Sequence, residues 1–525
     1  MKKIVFIIVA LFIAIVTMAY LYFSGLSSDD KINQHSLYAA AAESSIIFSF
    51  ENEQSIVDIL KSQDLLKEIA GIRKVQELQE ISSSLLSIPG ITKFFEKQNV
   101  YISLVPGLDK SIDFLYSTQI NHDFTQEELL HAIRSNSVDV KAENGIMKLS
   151  LNDSTGFFVG IKDNLLLLSN NSNLVKKGLI VKRDQSGRFA NFIQANSRVA
   201  KNSLAEVYIN FEMLPILLKT MMPGQLTGEL APLDHQNAYA ALIYNFSREK
   251  ILFTGSTEPQ NSTNYFSIFS TEQAQKISIT NILPDNTASY TAYGITSYSS
   301  FRPLLQQWFK NNGMEKKVRT SINDINTEYR MDLETVLPGY FTNQFITFQL
   351  SNAERLGAIG LTNGDKLDQL LLELSTDYTE DIKQLKVNGL LTAFFGQAFN
   401  YFQEPYYTII DNYLVFANKP ESLRSFLNDY RNNKLLINSV SYGNAMDQLP
   451  ATSNIQVYVD LENSQRIAQK NLYLPFFRHV FNEDGLKSYS SASYQLSSNN
   501  KKFLTNMLLI KKRNKLDVDS LSQRQ

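Results

Sequence analysis

The sequence predicts an α+β protein: an N-terminal transmembrane helix followed by two tandem, similar domains of mixed antiparallel sheet and helices. Three observations predict it. A charge-free apolar run, Ile4 to Phe23, follows Met1-Lys2-Lys3. In the body, short runs rich in β-branched and aromatic residues alternate with segments of helical periodicity. The order of those runs then recurs in the second half of the chain.

Ile4 to Phe23 contains no Pro and no Gly. At about 1.5 Å per residue it reaches roughly 30 Å, the thickness of a bilayer's hydrocarbon core. Its end, Tyr20-Leu21-Tyr22-Phe23, is bulky and aromatic, which suits a membrane interface better than a cleavage site. The run therefore reads as an uncleaved signal-anchor. Lys2 and Lys3 hold the N-terminus in the cytoplasm, so the bulk is expected beyond the inner membrane. Residues 1–23 form the N-terminus and anchor, and residues 24–43 a polar stalk.

The chain has 525 residues, 33 Phe, 25 Tyr, no Cys and a net charge of −2. Size and apolar content allow two large cores. The absence of Cys removes disulfides, thiol nucleophiles and Cys-bound metals. Near-neutral charge gives no global electrostatic case for a nucleic acid partner or for an anionic membrane surface. No cofactor is expected.

The first domain is expected over 44–255. Ser44 to Phe50 reads as a strand, and Ser55 to Ser87 as a helix broken by Pro89-Gly90. Val100 to Leu104 and Phe114 to Ile120 read as strands. A helix opens at Thr125, and strands follow at Met147 to Leu151, Phe157 to Ile161 and Leu165 to Ser169. Lys162-Asp163-Asn164 makes the turn between the last two.

The second domain, 281–513, repeats this order after a polar linker at 256–280. Ile161-Lys162-Asp163-Asn164-Leu165-Leu166 lines up with Ile409-Ile410-Asp411-Asn412-Tyr413-Leu414. Glu206-Val207-Tyr208-Ile209-Asn210 lines up with Gln456-Val457-Tyr458-Val459-Asp460, and Tyr239, Tyr244 and Ser247 with Tyr489, Tyr494 and Ser497. Collinear matches at nearly constant separation indicate a tandem duplication, not a short-period solenoid. Residues 514–525 read as a disordered tail.

The lysine-started anchor, the two similar halves and the lead-in Ile282-Leu283-Pro284-Asp285-Asn286-Thr287-Ala288 resemble a family of uncharacterised envelope proteins from Gram-negative bacteria, a domain of unknown function. The resemblance implies a periplasmic side for the exported bulk. It brings no catalytic residues.

Chemistry-bearing motifs are scarce. His122-Asp123-Phe124-Thr125-Gln126-Glu127-Glu128-Leu129-Leu130-His131 holds a Glu-x-x-His spacing used in di-metal sites, but such sites need the motif twice. The better reading is a capping box of Thr125 and Glu128. No nucleophile elbow, zinc-protease motif or phosphate loop occurs. Catalytic, cofactor-binding and metal residues are therefore expected to be none.

Two apolar stretches remain: Met213 to Pro223, with Leu214, Ile216, Leu217, Met221 and Met222, and Leu472 to Phe481, with Leu472, Leu474, Phe476 and Phe477. They read either as core-facing segments beneath the sheets or as an apolar surface that binds a peptide or lipid. Pro215 and Pro475 argue against long regular helices there and leave room for exposed loops. The expected function is non-enzymatic binding or scaffolding in the cell envelope, with the membrane and an envelope protein, peptide or lipid as partners. The alternatives are an envelope hydrolase whose site forms only in three dimensions, and a mechanical spacer.

Overall fold

The computed structural model describes residues 34–53, 90–182 and 187–512, short stretches at 108–109, 122, 126, 130, 132–139, 144–145, 153–154, 198–202, 225–235, 248 and 483–485 excepted. Its class is α+β, with extended antiparallel sheet and helices. Among the described residues no helix is long and apolar enough to cross a membrane. Ile4 to Phe23 and the periodic stretch Ser55 to Ser87 lie outside the described residues, as does the tail 514–525.

The chain forms two compact units, and 106–111 belong with the later residues. The first contains helix α1 (Gln34–Ala41), strands β1 (Ile46–Glu51), β2 (Asn99–Pro106), β3 (Ile112–Gln119), β4 (Val140–Glu143), β5 (Ile146–Asn152), β6 (Thr155–Lys162) and β7 (Leu165–Ser169), then helices α2 (Ser172–Gly178) and α3 (Gly187–Asn196). The sheet order is β1-β2-β3-β7-β6-β5-β4, with antiparallel ladders. Asp163 (φ 47°) and Asn164 (φ 64°) turn the β6–β7 hairpin in the left-handed region that a two-residue turn requires. Asn171 caps α2 by accepting the Asn173 amide at 2.9 Å. Leu115, Leu167 and Val175 pack between sheet and helices.

The second unit contains β8 (Glu206–Asn210), α4 (Leu214–Met221), β9 (Ala238–Phe246), β10 (Lys250–Pro259), β11 (Gln275–Lys276), β12 (Thr287–Gly294), α5 (Tyr298–Asn311), α6 (Glu315–Tyr329), α7 (Leu333–Val336), β13 (Phe341–Leu350), β14 (Arg355–Leu361), α8 (Gly364–Leu371), β15 (Ser375–Asp377) and β16 (Lys383–Leu385). It continues with α9 (Leu390–Phe395), β17 (Tyr406–Ile410), β18 (Tyr413–Ala417), α10 (Pro420–Arg431), α11 (Val440–Met446), β19 (Thr452–Ser453), β20 (Ile455–Asp460), α12 (Gln465–Asn471), α13 (Leu474–Phe481), β21 (Tyr489–Asn499) and β22 (Lys502–Lys511).

Its main sheet runs β8-β9-β10-β22-β21-β20-β12-β13-β14-β18-β17-β16-β15, antiparallel throughout. Strands β11 and β19 form a separate pair. The part β12-β13-β14-β18-β17-β16-β15 has the strand order of the first unit's sheet. The β17–β18 turn also repeats that of β6–β7, with Asp411 at φ 47° and Asn412 at φ 62°. In each case the Asn carbonyl accepts one further amide: Ile120 to Asn164 at 2.7 Å, Leu361 to Asn412 at 2.8 Å.

Both faces of β13 are covered. Phe345 points to one side and Ile346 to the other, each with no exposed surface. On the Phe345 side lies an aromatic core, where Tyr293 stacks on Phe345 at 4.8 Å. Phe301, Phe395 and Phe399 approach the same ring at 5.7, 5.0 and 5.6 Å. On the other side Ile346 joins Tyr290, Val415 and Phe426 under α10 and α11.

Two expectations are revised. Residues 256–280 are not a linker: β10 extends through Pro259, and a 3-10 helix over Tyr265–Thr271 buries Tyr265, Phe266, Ile268 and Phe269 in the aromatic core. Polar composition concealed four apolar residues at short helical spacing. The alignment of Tyr244 with Tyr494 slips as well. Val207 faces Leu242 and Val457 faces Tyr494, so the ladder puts Tyr494 in the place of Leu242. A two-residue slip preserves the side-chain face, and residue matching alone does not detect it.

Removing the central ring tests the core. Phe345→Ala is expected to destabilise the second unit by about 3–5 kcal/mol, read by denaturant unfolding. A loss within the range of ordinary surface substitutions would show that the aromatic cluster does not hold this unit together.

Candidate functional site

The two apolar stretches arise at the ends of similar strands. β8 ends at Asn210, whose side-chain oxygen accepts the Glu212 amide at 3.0 Å. β20 ends at Asp460, which accepts the Glu462 and Asn463 amides at 3.0 and 2.9 Å. These side-chain turns redirect the backbone out of the sheet. Asn463 then donates to the Asp285 and Thr287 carbonyls, and Ser464 to the Ala288 carbonyl, which fixes the turn on the start of β12.

A short amphipathic helix follows in each place, α4 after the first turn and α13 after the second, the latter preceded by α12. The expectation of exposed loops is corrected here. Pro215 and Pro475 stand in the first helical turn, where a missing amide hydrogen leaves no bond unmade, so they start the helices.

The two stretches meet. The Tyr473 amide donates to the Met221 carbonyl at 2.9 Å, joining the start of α13 to the end of α4. Leu217, Met222 and Phe477 are buried, and Phe477 stacks on Phe481 at 5.1 Å. Leu214, Met221, Leu472 and Phe476 are half-buried. Ile216 and Leu474 are exposed, at 48% and 58%. Each stretch thus anchors one side in the core and presents the other.

Sequence reasoning missed the bases around this face. Lys219, Arg466, Lys470 and Arg478 are exposed on α4, α12 and α13, and none of these helices contains an acidic residue. The signal was present: Lys219 stands three residues after Ile216, and Arg478 four after Leu474, helical spacings that share a face. A cleft of about 180 Å³ opens beside α13, its walls including Leu461, Phe481, Glu462, Gln465, Lys487 and Lys512.

The buried acids of this region belong to the strand ends. Burial raises the Asp460 carboxyl above its ordinary pKa, against the pull of the Asn463 and Glu462 amides. Burial raises Glu206 likewise, while hydrogen bonds from Tyr208 and Ser203 oppose the shift. Elsewhere, the Thr125–Glu128 capping box is formed: the Thr125 amide donates to Glu128 at 2.7 Å, and the Glu128 amide to the Thr125 hydroxyl at 3.2 Å. That bonding lowers the Glu128 pKa. Among the described residues no three His, Asp or Glu side chains converge as a metal site.

A buried acid whose folded pKa lies above its unfolded value binds its proton more tightly when folded. It costs stability as pH rises through that interval. Asp460→Asn keeps a side-chain oxygen to accept the two amides, as the Asn210 oxygen accepts the Glu212 amide at the end of β8. The variant's Tm relative to the parent is therefore expected to increase as pH is raised above 3.8, the ordinary value of an aspartate carboxyl. A difference that stays constant across a pH series of melting curves would remove Asp460 as the cause.

No protein-family model, no curated protein sequence and no solved structure matches this chain.

Proposed function

We propose that this chain is a single-pass inner-membrane protein, anchored by Ile4 to Phe23 with its N-terminus in the cytoplasm. On this reading two tandem, similar domains on the periplasmic side act in binding or scaffolding within a bacterial envelope, without catalysis. One observation carries the binding reading: the apolar stretches of α4 and α13 join at Tyr473 and Met221 and leave Ile216 and Leu474 exposed. Exposed aliphatic side chains also occur singly elsewhere, as at Val440, but these two lie on helices joined to one another by a backbone hydrogen bond.

Support for the duplication comes from matched geometry. Besides the two hairpin turns, Asp113 accepts Asn171 at 2.8 Å, and Glu354 accepts Lys419 at 2.7 Å. By the ladder registers, Asp113 corresponds to Glu354 and Asn171 to Lys419. An acid at the start of one strand thus meets the residue that opens the helix after the neighbouring strand, in both places. The chemistry differs while the position is kept. The envelope family resembled by the lead-in at Ile282 to Ala288 fits this arrangement.

Two measurements test the proposal. Full-length protein is expected to stay in the membrane pellet after an alkaline carbonate wash, with its body digested by protease added from the periplasmic side. Release by the wash, or protection from that protease, would overturn the anchor or its orientation. Photo-crosslinkers at positions 216 and 474 are expected to give adducts in native membranes that a probe at the exposed Val440 does not. Equal yields at all three positions would sink the binding surface.

A further inference from the structure

The face shared by α4, α12 and α13 carries a second property beside its apolar side chains: a bias in charge. Lys219, Arg466, Lys470 and Arg478 are exposed, and the three helices contain no acid. Glu212 and Glu462 lie in the turns that precede α4 and α12, and Asp460 and Asp285 stand at the second turn, so the bias in charge belongs to the three helices themselves. The further acids Glu483 and Asp484, after α13, lie outside the described residues. Helix α12 has no buried residue at all, and Ile467 and Ala468 are only half-covered. A helix with no fully buried residue and two exposed bases leaves most of its surface open to a partner elsewhere.

Resting on the binding reading above, we infer that this face docks on the surface of an anionic lipid bilayer. The chemistry fits in three ways. Exposed Leu474 and Ile216, with half-covered Phe476 and Leu472, supply aliphatic and aromatic groups that enter the headgroup boundary. The bases beside them meet lipid phosphodiesters, with an attraction that falls off within a Debye length. The exposed Lys487 and Lys512 line the cleft beside α13, where β20 ends, and add positive charge there. An acidic protein would satisfy the bases but would leave Leu474 and Ile216 facing charge. A bilayer surface satisfies both.

The absence of Cys makes the test clean, because one introduced thiol takes one dye. Full-length protein carrying Leu474→Cys, labelled with an environment-sensitive fluorophore, is reconstituted into nanodiscs of phosphatidylcholine with or without phosphatidylglycerol. The dye is expected to shift to the blue and to be quenched by a lipid-borne quencher only when phosphatidylglycerol is present, and high salt should reverse both effects. Neutralising one base, as in Arg478→Gln, should weaken docking about fivefold, and neutralising Lys219, Arg466, Lys470 and Arg478 together roughly hundredfold or more. Replacing Lys219 and Lys470 by Arg should preserve it. Melting curves check that every variant is folded.

The same dye at Val440→Cys should respond to neither lipid. Overturning results are an unchanged emission at position 474 in both lipids, an equal response at position 440, or full docking by the neutral variant. Crosslinks from position 474 to an acidic protein without any lipid response would also overturn it. In each of these cases successful reconstitution leaves the membrane-anchored binding protein standing. Failure to enter nanodiscs at all counts instead against the anchor.

Discussion

The architecture of the second unit depends on the pairing of β10 with β22. Without it, each strand would end a sheet as a row of unmatched amides and carbonyls, a costly and aggregation-prone edge. The pairing runs from Lys250 opposite Ile510 to Thr257 opposite Phe503, and it turns two sheets into one. Under the proposed duplication, the β9–β10 and β21–β22 hairpins are counterparts, with Ile251 and Phe246 matching Phe503 and Ser498. Thr254, which faces Asn506 across the ladder, then faces its own counterpart. The join acts as a local two-fold axis. It sets the strand ends that launch α4 and α13 in related surroundings, so that Met221 and Tyr473 can meet.

One part of the sheet is covered on both faces. An antiparallel sheet can leave one face to water, but β13 buries both, with Phe345 on one side and Ile346 on the other. The aromatic side draws on residues far apart in sequence: Tyr265 and Phe269 from the 3-10 helix, Phe301 from α5, and Phe395 beside Phe399. On the other side, polar groups are buried with partners. The Tyr290 and Tyr442 hydroxyls lie 3.0 Å apart, and Gln456 donates to Tyr290 at 2.7 Å. Burial pushes the Tyr290 and Tyr442 hydroxyls above the ordinary phenol range, so they stay neutral at physiological pH.

What was legible in the sequence was local. Strand β7 was read residue for residue at Leu165 to Ser169, because a short apolar run after a tight Asp-Asn turn leaves a short-range signature. The Thr125–Glu128 capping box was legible for the same reason. The 3-10 helix at Tyr265–Thr271 was not, since Ser, Thr and Asn around it gave the composition of a linker while its four large apolar residues answered to partners far along the chain. The β10–β22 ladder was invisible, as edge pairing depends on register between distant strands. At the candidate site, the apolar residues Leu214 to Met222 and Leu472 to Phe477 were found, but their division into buried and exposed sides was not. Proline was read by its usual effect in a helix interior, whereas at Pro215 and Pro475 position reverses that effect.

The contrast between α4 and α12 gives the site its direction. A helix earns its place in a fold by burying one face, as α4 does with Pro215 and Leu217. Helix α12 is an addition between the β20 turn and α13, without counterpart ahead of α4, and none of its residues is fully buried. Its backbone hydrogen bonds alone leave a helix of this length marginal in water. The turn that starts it is nevertheless held firmly, through Asn463 and Ser464 on the β12 backbone and Asp460 on its own amides. A rigid mount beneath a helix with no fully buried residue is hard to explain by folding alone. It follows if the face is completed from outside, by a surface that accepts Arg466 and Lys470 together with the exposed edge of α13.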